Sequence, residues 1–435
     1  MGNEAHAPSR HETMEAVEGR MARAKSLLLT VRGRTGDETV VLPFAPGSDG
    51  IYCAATADLA SAIRRDPRVS LTIGEAADSV SGTGRAIILD RVPDECAAAG
   101  ISGSPALRII PAVVRVRDAS GRVAEVEYPY GGRPKGIVAL WVRATRPFAF
   151  SASVMPVLVG AALAWYLPPV GSSALWWLLP AVLAAAVLFH TGTNLISDYH
   201  DFMRGVDRVG TLGGSGILVN GLMPPRHIFW GGMVAFAIGI ALGLAMVALR
   251  GLPLLAFGVV GFLGGFLYCG WPVRYKYRGL GELGVFALMG PLMVAGSYYA
   301  LTGGLRWEVL PASLPVGLLV AAILQANDVR DIADDRRSGI TTMSLTSGRR
   351  LAAAEYLAMI VGAYLSVVVM IAAGILPVWT LLVFLSIPPA LKVVRLVTRA
   401  AARSSEIAAA DVMTAQLHLA FCGLLIVGIL LGKLL

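Results

Sequence analysis

The sequence predicts a polytopic all-α membrane bundle of nine transmembrane helices fused to a small N-terminal β-barrel. Three observations carry this. Apolar stretches of helix-spanning length recur from Phe148 to the C-terminus, separated by short polar loops. Residues 1 to about 145 have mixed charge and short β-rich runs instead. The chain as a whole is 55% hydrophobic and only 15% charged, a membrane balance.

The predicted spans are 148–167, 174–197, 228–249, 251–270, 283–303, 310–328, 352–374, 377–394 and 412–432. Several contain Gly or Pro, which membrane helices tolerate where neighbours satisfy the backbone. Before them, Lys25–Arg32, Thr39–Pro43, Gly50–Cys53, Ser70–Ile73, Val80–Leu89, Arg108–Val116 and Val123–Tyr128 read as strands. Ala57–Arg65 and Asp94–Ala99 read as short helices. Many short strands with few helices suggest a small barrel. The expected organisation is an extension (1–20), a cytosolic barrel (21–130), a linker (131–147) and a membrane domain (148–435). Trp141, Arg143 and Arg146 look like interfacial anchors.

Charge sets the expected orientation. Arg204, Arg208 and Arg226 share one set of loops with Arg274, Lys276, Arg278, Arg330, Arg336 and Arg337, and the loops further on add Arg349, Arg350, Lys392, Arg395, Arg399 and Arg403. The opposite loops hold little beyond Arg250 and Arg306, so the basic set is expected in the cytosol. That rule explains the net charge of +8 better than nucleic-acid binding does. The first two dozen residues lack an apolar signal-peptide core, which also predicts a cytosolic barrel in a plasma-membrane protein. Four cysteines without CxxC spacing suggest neither a disulfide framework nor a zinc site.

Two acidic clusters stand out against this apolar background. Asn194-Leu-Ile-Ser-Asp198-Tyr-His-Asp201, followed by Asp207, closes the second span; Asn327-Asp328-Val-Arg330-Asp331, followed by Asp334 and Asp335, closes the sixth. Ionisable groups there are costly and usually functional. Asn194, Asp198 and Asp201 fall on one helical face, and Asn327, Asp331 and Asp335 roughly on another. Two opposed carboxylate faces could hold Mg²⁺, which binds through one or two carboxylates plus substrate phosphates. A diphosphate bound there would have its leaving charge neutralised. Arg204, Lys276, Arg278 and Arg330 lie on the same side and would grip it. Ordinary juxtamembrane acids explain one such cluster as well, but not two alike. Gly213-Gly-Ser-Gly216 lacks the preceding strand of a phosphate cradle and reads as a loop over the cavity.

These motifs resemble those of the UbiA-type prenyltransferase superfamily: residues 194–207 its first aspartate-rich motif and 327–339 its second. Tyr275-Lys-Tyr-Arg-Gly-Leu-Gly-Glu282, Arg146-Pro147, Val219-Asn-Gly-Leu222 and Gly290-Pro291 resemble the 1,4-dihydroxy-2-naphthoate polyprenyltransferase branch. Ser197 departs from the pattern, which usually has Asn before the aspartate. The resemblance covers roughly 140–435 and implies a nine-helix bundle around a cavity open to lipid. It implies transfer of a polyprenyl group from its diphosphate to dihydroxynaphthoate with loss of carbon dioxide, giving demethylmenaquinone. It also implies that Asn194, Asp198 and Asp201 serve one metal and Asn327, Asp331 and Asp335 the other. Tyr199, Arg146 and Glu282 are candidate acceptor-binding residues, although Tyr199 equally fits an interfacial tyrosine and Glu282 a helix cap. His200 reads as an exposed loop histidine. Another acceptor, such as 4-hydroxybenzoate or a phosphosugar, stays open. A cation-coupled transporter is disfavoured because both clusters sit at one membrane face.

Residues 21–128 resemble the split β-barrels of pyridoxamine 5′-phosphate oxidase-like proteins, through Gly50–Thr56, Ile63–Leu71 and Gly82–Asp90. Such barrels often bind FMN phosphate after the third strand. Thr56 remains here, with Arg64 and Arg65 near, but Ala57 and Leu59 replace the expected Ser and Lys. The alternatives are an FMN site and a flavin-free barrel used for docking or regulation, and the missing donors favour the second.

Overall fold

The computed structural model describes residues 24, 26–33, 36–47, 50–66, 68–75, 78–89, 106–117, 123–127, 136–168, 174–207, 213–219, 222–399 and 407–435. The expected N-terminal extension, the Asp94–Ala99 helix and the linker at 131–135 lie outside the described residues. The chain divides into two units, Met1–Trp141 with Gly216–His227, and Val142–Ser215 with Ile228–Leu435.

In the first unit, alternation of apolar and polar residues builds a seven-stranded antiparallel sheet. Its strands are β1 (Ser26–Arg32), β2 (Asp37–Gly47), β3 (Gly50–Ala54), β4 (Arg68–Glu75), β5 (Asp78–Leu89), β6 (Ala106–Arg117) and β7 (Val123–Glu127). The order is β3-β2-β1-β4-β5-β6-β7, and an additional β3–β6 pairing closes the first six into a barrel. On β1, Leu27, Leu29 and Val31 point inward while their neighbours face out. The register sets Leu29 beside Val40 and Leu71, so one face stays apolar across three strands. Helix α1 (Ala57–Arg65) plugs this core with Leu59, Ala60, Ala62 and Ile63, and the Leu59 amide donates to Thr56 Oγ1 to cap it. Within the same unit, Arg108 of β6 is buried and donates to the Val219 carbonyl at 3.2 Å.

The second unit is helical. After α2 (Ile137–Thr145) come α3 (Ser151–Tyr166), α4 (Leu179–Met203), α5 (Pro225–Arg250), α6 (Leu252–Leu267), α7 (Gly281–Ala287) and α8 (Met293–Thr302). The short α9 (Val309–Ala312) leads to α10 (Leu314–Ser338), α11 (Met343–Ser347), α12 (Arg349–Ala372), α13 (Ile387–Arg399) and α14 (Ala410–Leu434). Among the described residues, eight helical segments are long and apolar enough to cross a membrane, and α6 is a shorter apolar helix of 16 residues. The expected nine spans therefore correspond to eight long helices and one short one. Prolines open α4, α6 and α10, where the missing amide hydrogen costs nothing. Gly339, at φ +67°, ends α10.

Apolar side chains of α3, α8, α10, α12 and α14 form the core, among them Leu163, Tyr298, Leu319, Tyr356 and Leu425. Hydrogen bonds between helices add specificity where all surfaces are apolar. Tyr356 pairs with Thr414 at 3.0 Å and Tyr364 with Ser386 at 2.6 Å. Between α7 and α8, Leu288–Leu292 widens into a π turn at Gly290-Pro291. A Cβ on Gly290 would lie 2.6 Å from Gly317 Cα, so this turn and α10 meet backbone to backbone. Both acidic clusters continue their helices rather than follow them: α4 runs to Met203 and α10 to Ser338, beyond the predicted span ends.

Gly290→Ala is expected to overpack that crossing, costing about 1–3 kcal/mol, read as a lower thermal unfolding temperature of the detergent-purified chain. In the barrel, the Arg68 side chain hydrogen-bonds Asp66 and holds its carboxyl down, from 3.8 to about 2. A lowered folded-state pKa gives stability that is complete above 3.8 and lost as pH falls through about 2. Arg68→Ala is expected to move acid unfolding of the full chain to slightly higher pH, followed by circular dichroism; the effect is small because the pair is solvent-screened.

Candidate functional site

The first acidic face lies along α4. Asp198 and Asp201 are buried, and Asn194 is half-buried. Asp201 is fully engaged: Lys276 Nζ meets Oδ2 at 2.6 Å, Tyr277 donates to Oδ1 at 2.7 Å, and Ser197 Oγ donates to Oδ2 at 3.0 Å. Burial works against the Lys276 charge, but Asp201 outweighs it and Lys276 is held protonated. Asp198 Oδ2 accepts from the Ser215 amide at 3.0 Å, while Arg146 Nη1 approaches Oδ1 at 3.9 Å.

The second face lies along α10. Arg330 chelates Asp331 through Nε and Nη2, both at 2.8 Å, and also bonds Asn327 Oδ1. Its Nη1 meets Asp411 of α14 at 3.0 Å. Asp335 is buried and accepts from Thr342 at 3.3 Å. Residues 275–280 run beside the end of α10, with Gly279 N donating to Thr341 O at 2.9 Å and Thr341 N to Tyr277 O at 3.3 Å. That clamp carries Lys276 and Tyr277 to Asp201.

The two faces converge at Gly213-Gly214. A Cβ on Gly213 would lie 3.1 Å from Asp207 Oδ1 and 3.7 Å from Asp331 Oδ2. On Gly214, at φ +67°, it would lie 3.5 Å from Asp198 Oδ1 and collide with Asp207. Only backbone without side chains fits among these carboxylates. Burial, together with Asp201 and Asp198, pushes the Asp207 carboxyl up to about 8. Crowded negative charge of this kind is what a divalent cation relieves. Among the described residues no three His, Cys, Asp or Glu gather tightly enough to hold a metal by themselves. Asn194 Nδ2 is buried without a partner, as a donor awaiting an anionic oxygen would be.

Below the carboxylates lies a cavity of about 430 Å³. Arg146, His190, Asn194, Lys276, Asn327 and Asp411 contribute its polar wall. Apolar residues of α4, α5, α6, α8 and α10 line the rest, Phe189, Phe262 and Met293 among them. Of the expected acceptor-binding residues, Arg146 lines this cavity but Tyr199 and Glu282 do not. Tyr199 sits five residues beyond Asn194, which rotates it off that face, and it packs on Phe229 of α5. Glu282 is buried at the start of α7 with Oε1 unpartnered, and its carboxyl pairs with Asp328. Among the expected anion grips, Arg204 and Arg278 are exposed, with Arg204 over the Tyr277 ring at 4.6 Å. Arg330 is committed to its carboxylates. His200 is half-buried within α4 rather than in a loop.

Sequence reasoning missed His190, Asp411 and Tyr277. His190 carried a signal, lying one turn before Asn194 on the same face; Asp411 carried none, because its partner is distant in sequence. In the barrel, Thr56 serves as a helix cap, and Arg64 and Arg65 are exposed.

Fold and site together define a multi-pass membrane protein with paired carboxylate faces at the mouth of a cavity suited to an apolar chain. The model of the UbiA prenyltransferase family matches residues 153–431, and the chain belongs to that family. The 1,4-dihydroxy-2-naphthoate octaprenyltransferase of Bacillus subtilis (strain 168) is 32% identical over 256 residues, 59% of this chain and 81% of that protein. The protein of the same name from Mycobacterium tuberculosis is 33% identical over 213 residues, 48% of this chain and 70% of its own length. The solved structure of a UbiA homologue from Archaeoglobus fulgidus bound to DMAPP and Mg²⁺ is 15% identical, with a TM-score of 0.40 over 66% of this chain and 98% of that one.

Gly214→Ala is expected to displace Asp207 and strain the backbone by about 1–2 kcal/mol. The strain should be read as a lower thermal unfolding temperature of the detergent-purified chain.

Proposed function

We propose that this chain is a Mg²⁺-dependent aromatic prenyltransferase. It would move a polyprenyl group from a polyprenyl diphosphate to 1,4-dihydroxy-2-naphthoate, with loss of carbon dioxide, giving demethylmenaquinone. The observation that carries this reading is the convergence of two carboxylate faces at the polar mouth of an apolar cavity. The names of the two bacterial relatives support the acceptor.

In this reading Asn194, Asp198 and Asp201 on α4, and Asn327, Asp331 and Asp335 on α10, would hold Mg²⁺ and with it the diphosphate. Bound Mg²⁺ supplies Lewis-acid neutralisation of the leaving diphosphate. Lys276, already beside Asp201, turns to the departing oxygens, with Arg204 and Arg278 completing the positive rim. Arg330 keeps Asn327 and Asp331 aimed inward. The apolar wall holds the prenyl tail and excludes water from the allylic cation. Arg146, on the cavity wall within 3.9 Å of Asp198, pairs with the acceptor carboxylate and brings its ring to the reacting carbon. The carboxylate mouth faces the cytosol, where the basic loops lie.

Purified protein with polyprenyl diphosphate, dihydroxynaphthoate and Mg²⁺ is expected to form a prenylated naphthoquinol, detected by mass spectrometry. Asp198→Ala or Asp331→Ala should lower kcat about 10²–10³-fold, the cost of losing one preorganised stabiliser. Chelation should abolish turnover and added Mg²⁺ restore it. Turnover with 4-hydroxybenzoate but not dihydroxynaphthoate would overturn the acceptor; full activity in either Asp variant would overturn the metal site.

A further inference from the structure

His190, on the polar wall of the cavity, has no role in the reaction as proposed so far. His190 is buried on α4 and lines the cavity. It lies one turn before Asn194, about 6 Å deeper along the helix axis.

Its surroundings suit one tautomer. Ser153 Oγ lies 3.1 Å from the Phe150 carbonyl, which can take its only proton. With that proton so placed, the 3.2 Å contact between His190 Nδ1 and Ser153 Oγ is made by Nδ1–H as donor, the donor role following the tautomer. In that tautomer the proton is on Nδ1, and Nε2 carries a lone pair. The ring is held edge-on to Phe150, with centroids 6.0 Å apart. A neutral, oriented imidazole with a free basic nitrogen, buried in a cavity wall, is the equipment of a proton acceptor.

We propose that His190 is a catalytic general base toward the hydroxyl of the aromatic acceptor, an inference that rests on the prenyltransferase reading above. As the ring carbon bonds to the allylic carbon, the C–O bond to diphosphate breaks and its electron pair leaves with the diphosphate. The hydroxyl on the adjacent ring carbon becomes a ketone and its proton passes to Nε2. The resulting β-keto carboxylate loses carbon dioxide, and the electron pair of the broken C–C bond restores the aromatic ring. The oxygen takes its proton back from Nε2. His190 returns to its starting state, and no oxidant or reductant is required.

The other titratable or charged groups on the cavity wall are Arg146, Tyr268, Tyr275, Lys276 and Asp411, with Asp198 further along α4. All are retained in the test variants. His190→Asn keeps an N–H donor for Ser153 and removes the base. It is expected to lower kcat about 10²-fold or more, to flatten the acid limb of the kcat–pH profile, and to leave Kd for polyprenyl diphosphate within about twofold. Added imidazole should restore part of the rate. Ser153→Ala, which frees the tautomer without removing the ring, should give a smaller loss of kcat with the acid limb kept.

An unchanged kcat and acid limb in His190→Asn overturns the proposal while leaving the prenyltransferase reading intact. Loss of polyprenyl diphosphate affinity in step with kcat, without rescue, assigns His190 to structure and also overturns it. Nitrogen-15 NMR of the histidine-labelled full chain provides an independent reading: a proton on Nε2 of His190 overturns the base role even if the Asn variant does not fold. Absence of turnover by the wild-type chain with any phenolic acceptor overturns both readings together.

Discussion

An ionised carboxylate inside an apolar helix bundle needs a counter-charge, and Lys276 and Arg330 meet most of that demand here, with Arg146 approaching Asp198. Leaving either carboxylate face bare would cost several kcal/mol per ion. Arg330, with only 3% of its side chain exposed, spends its guanidinium on Asn327, Asp331 and Asp411. Lys276 does the same for Asp201. These pairs are also the ties between elements: Arg330 joins α10 to α14, and Lys276 joins α4 to the 275–280 segment. The site is therefore part of what holds the helices in place.

This economy explains why helical phase was a good guide to the carboxylates and a poor one to their partners. Asn194, Asp198 and Asp201, like Asn327, Asp331 and Asp335, were legible because each set lies on one helix with regular spacing. The pairing of Arg330 with Asp411 joins positions far apart in sequence, so sequence alone makes Arg330 look like an anion grip. Tyr199 and Glu282 were read by proximity to a motif, and packing against Phe229 and Asp328 keeps them off the cavity wall. His190 lay in plain phase with Asn194, but a single histidine in an apolar run announces nothing until Ser153 comes beside it. The strands of the first unit were legible because inward and outward positions alternate, while the β3–β6 closure is a non-local pairing that no local pattern encodes.

The cavity itself divides its work. Its apolar portion recognises nothing in particular and can accept chains of several lengths, because burial is non-directional. Selectivity must come from the polar wall, where Arg146, His190 and Asn194 are spaced along one side. In the proposed reaction an acceptor would meet those groups together, and His190, the buried one of the three, would be the costliest to leave unpaired.

Ser197 stands where relatives of this pattern usually carry an amide, and it does more than fill the position. Its hydroxyl donates to Asp201 and accepts from Cys269 Sγ at 3.2 Å and Lys276 Nζ at 3.3 Å. A thiol thus sits two hydrogen bonds from a proposed metal ligand. Cys269 is only 1% exposed, so the sulfur is closed to solvent. Soft metals and oxidants, which attack through the thiolate, find no handle there. The cysteine thus sits beside the carboxylate face without competing for what that face is proposed to hold.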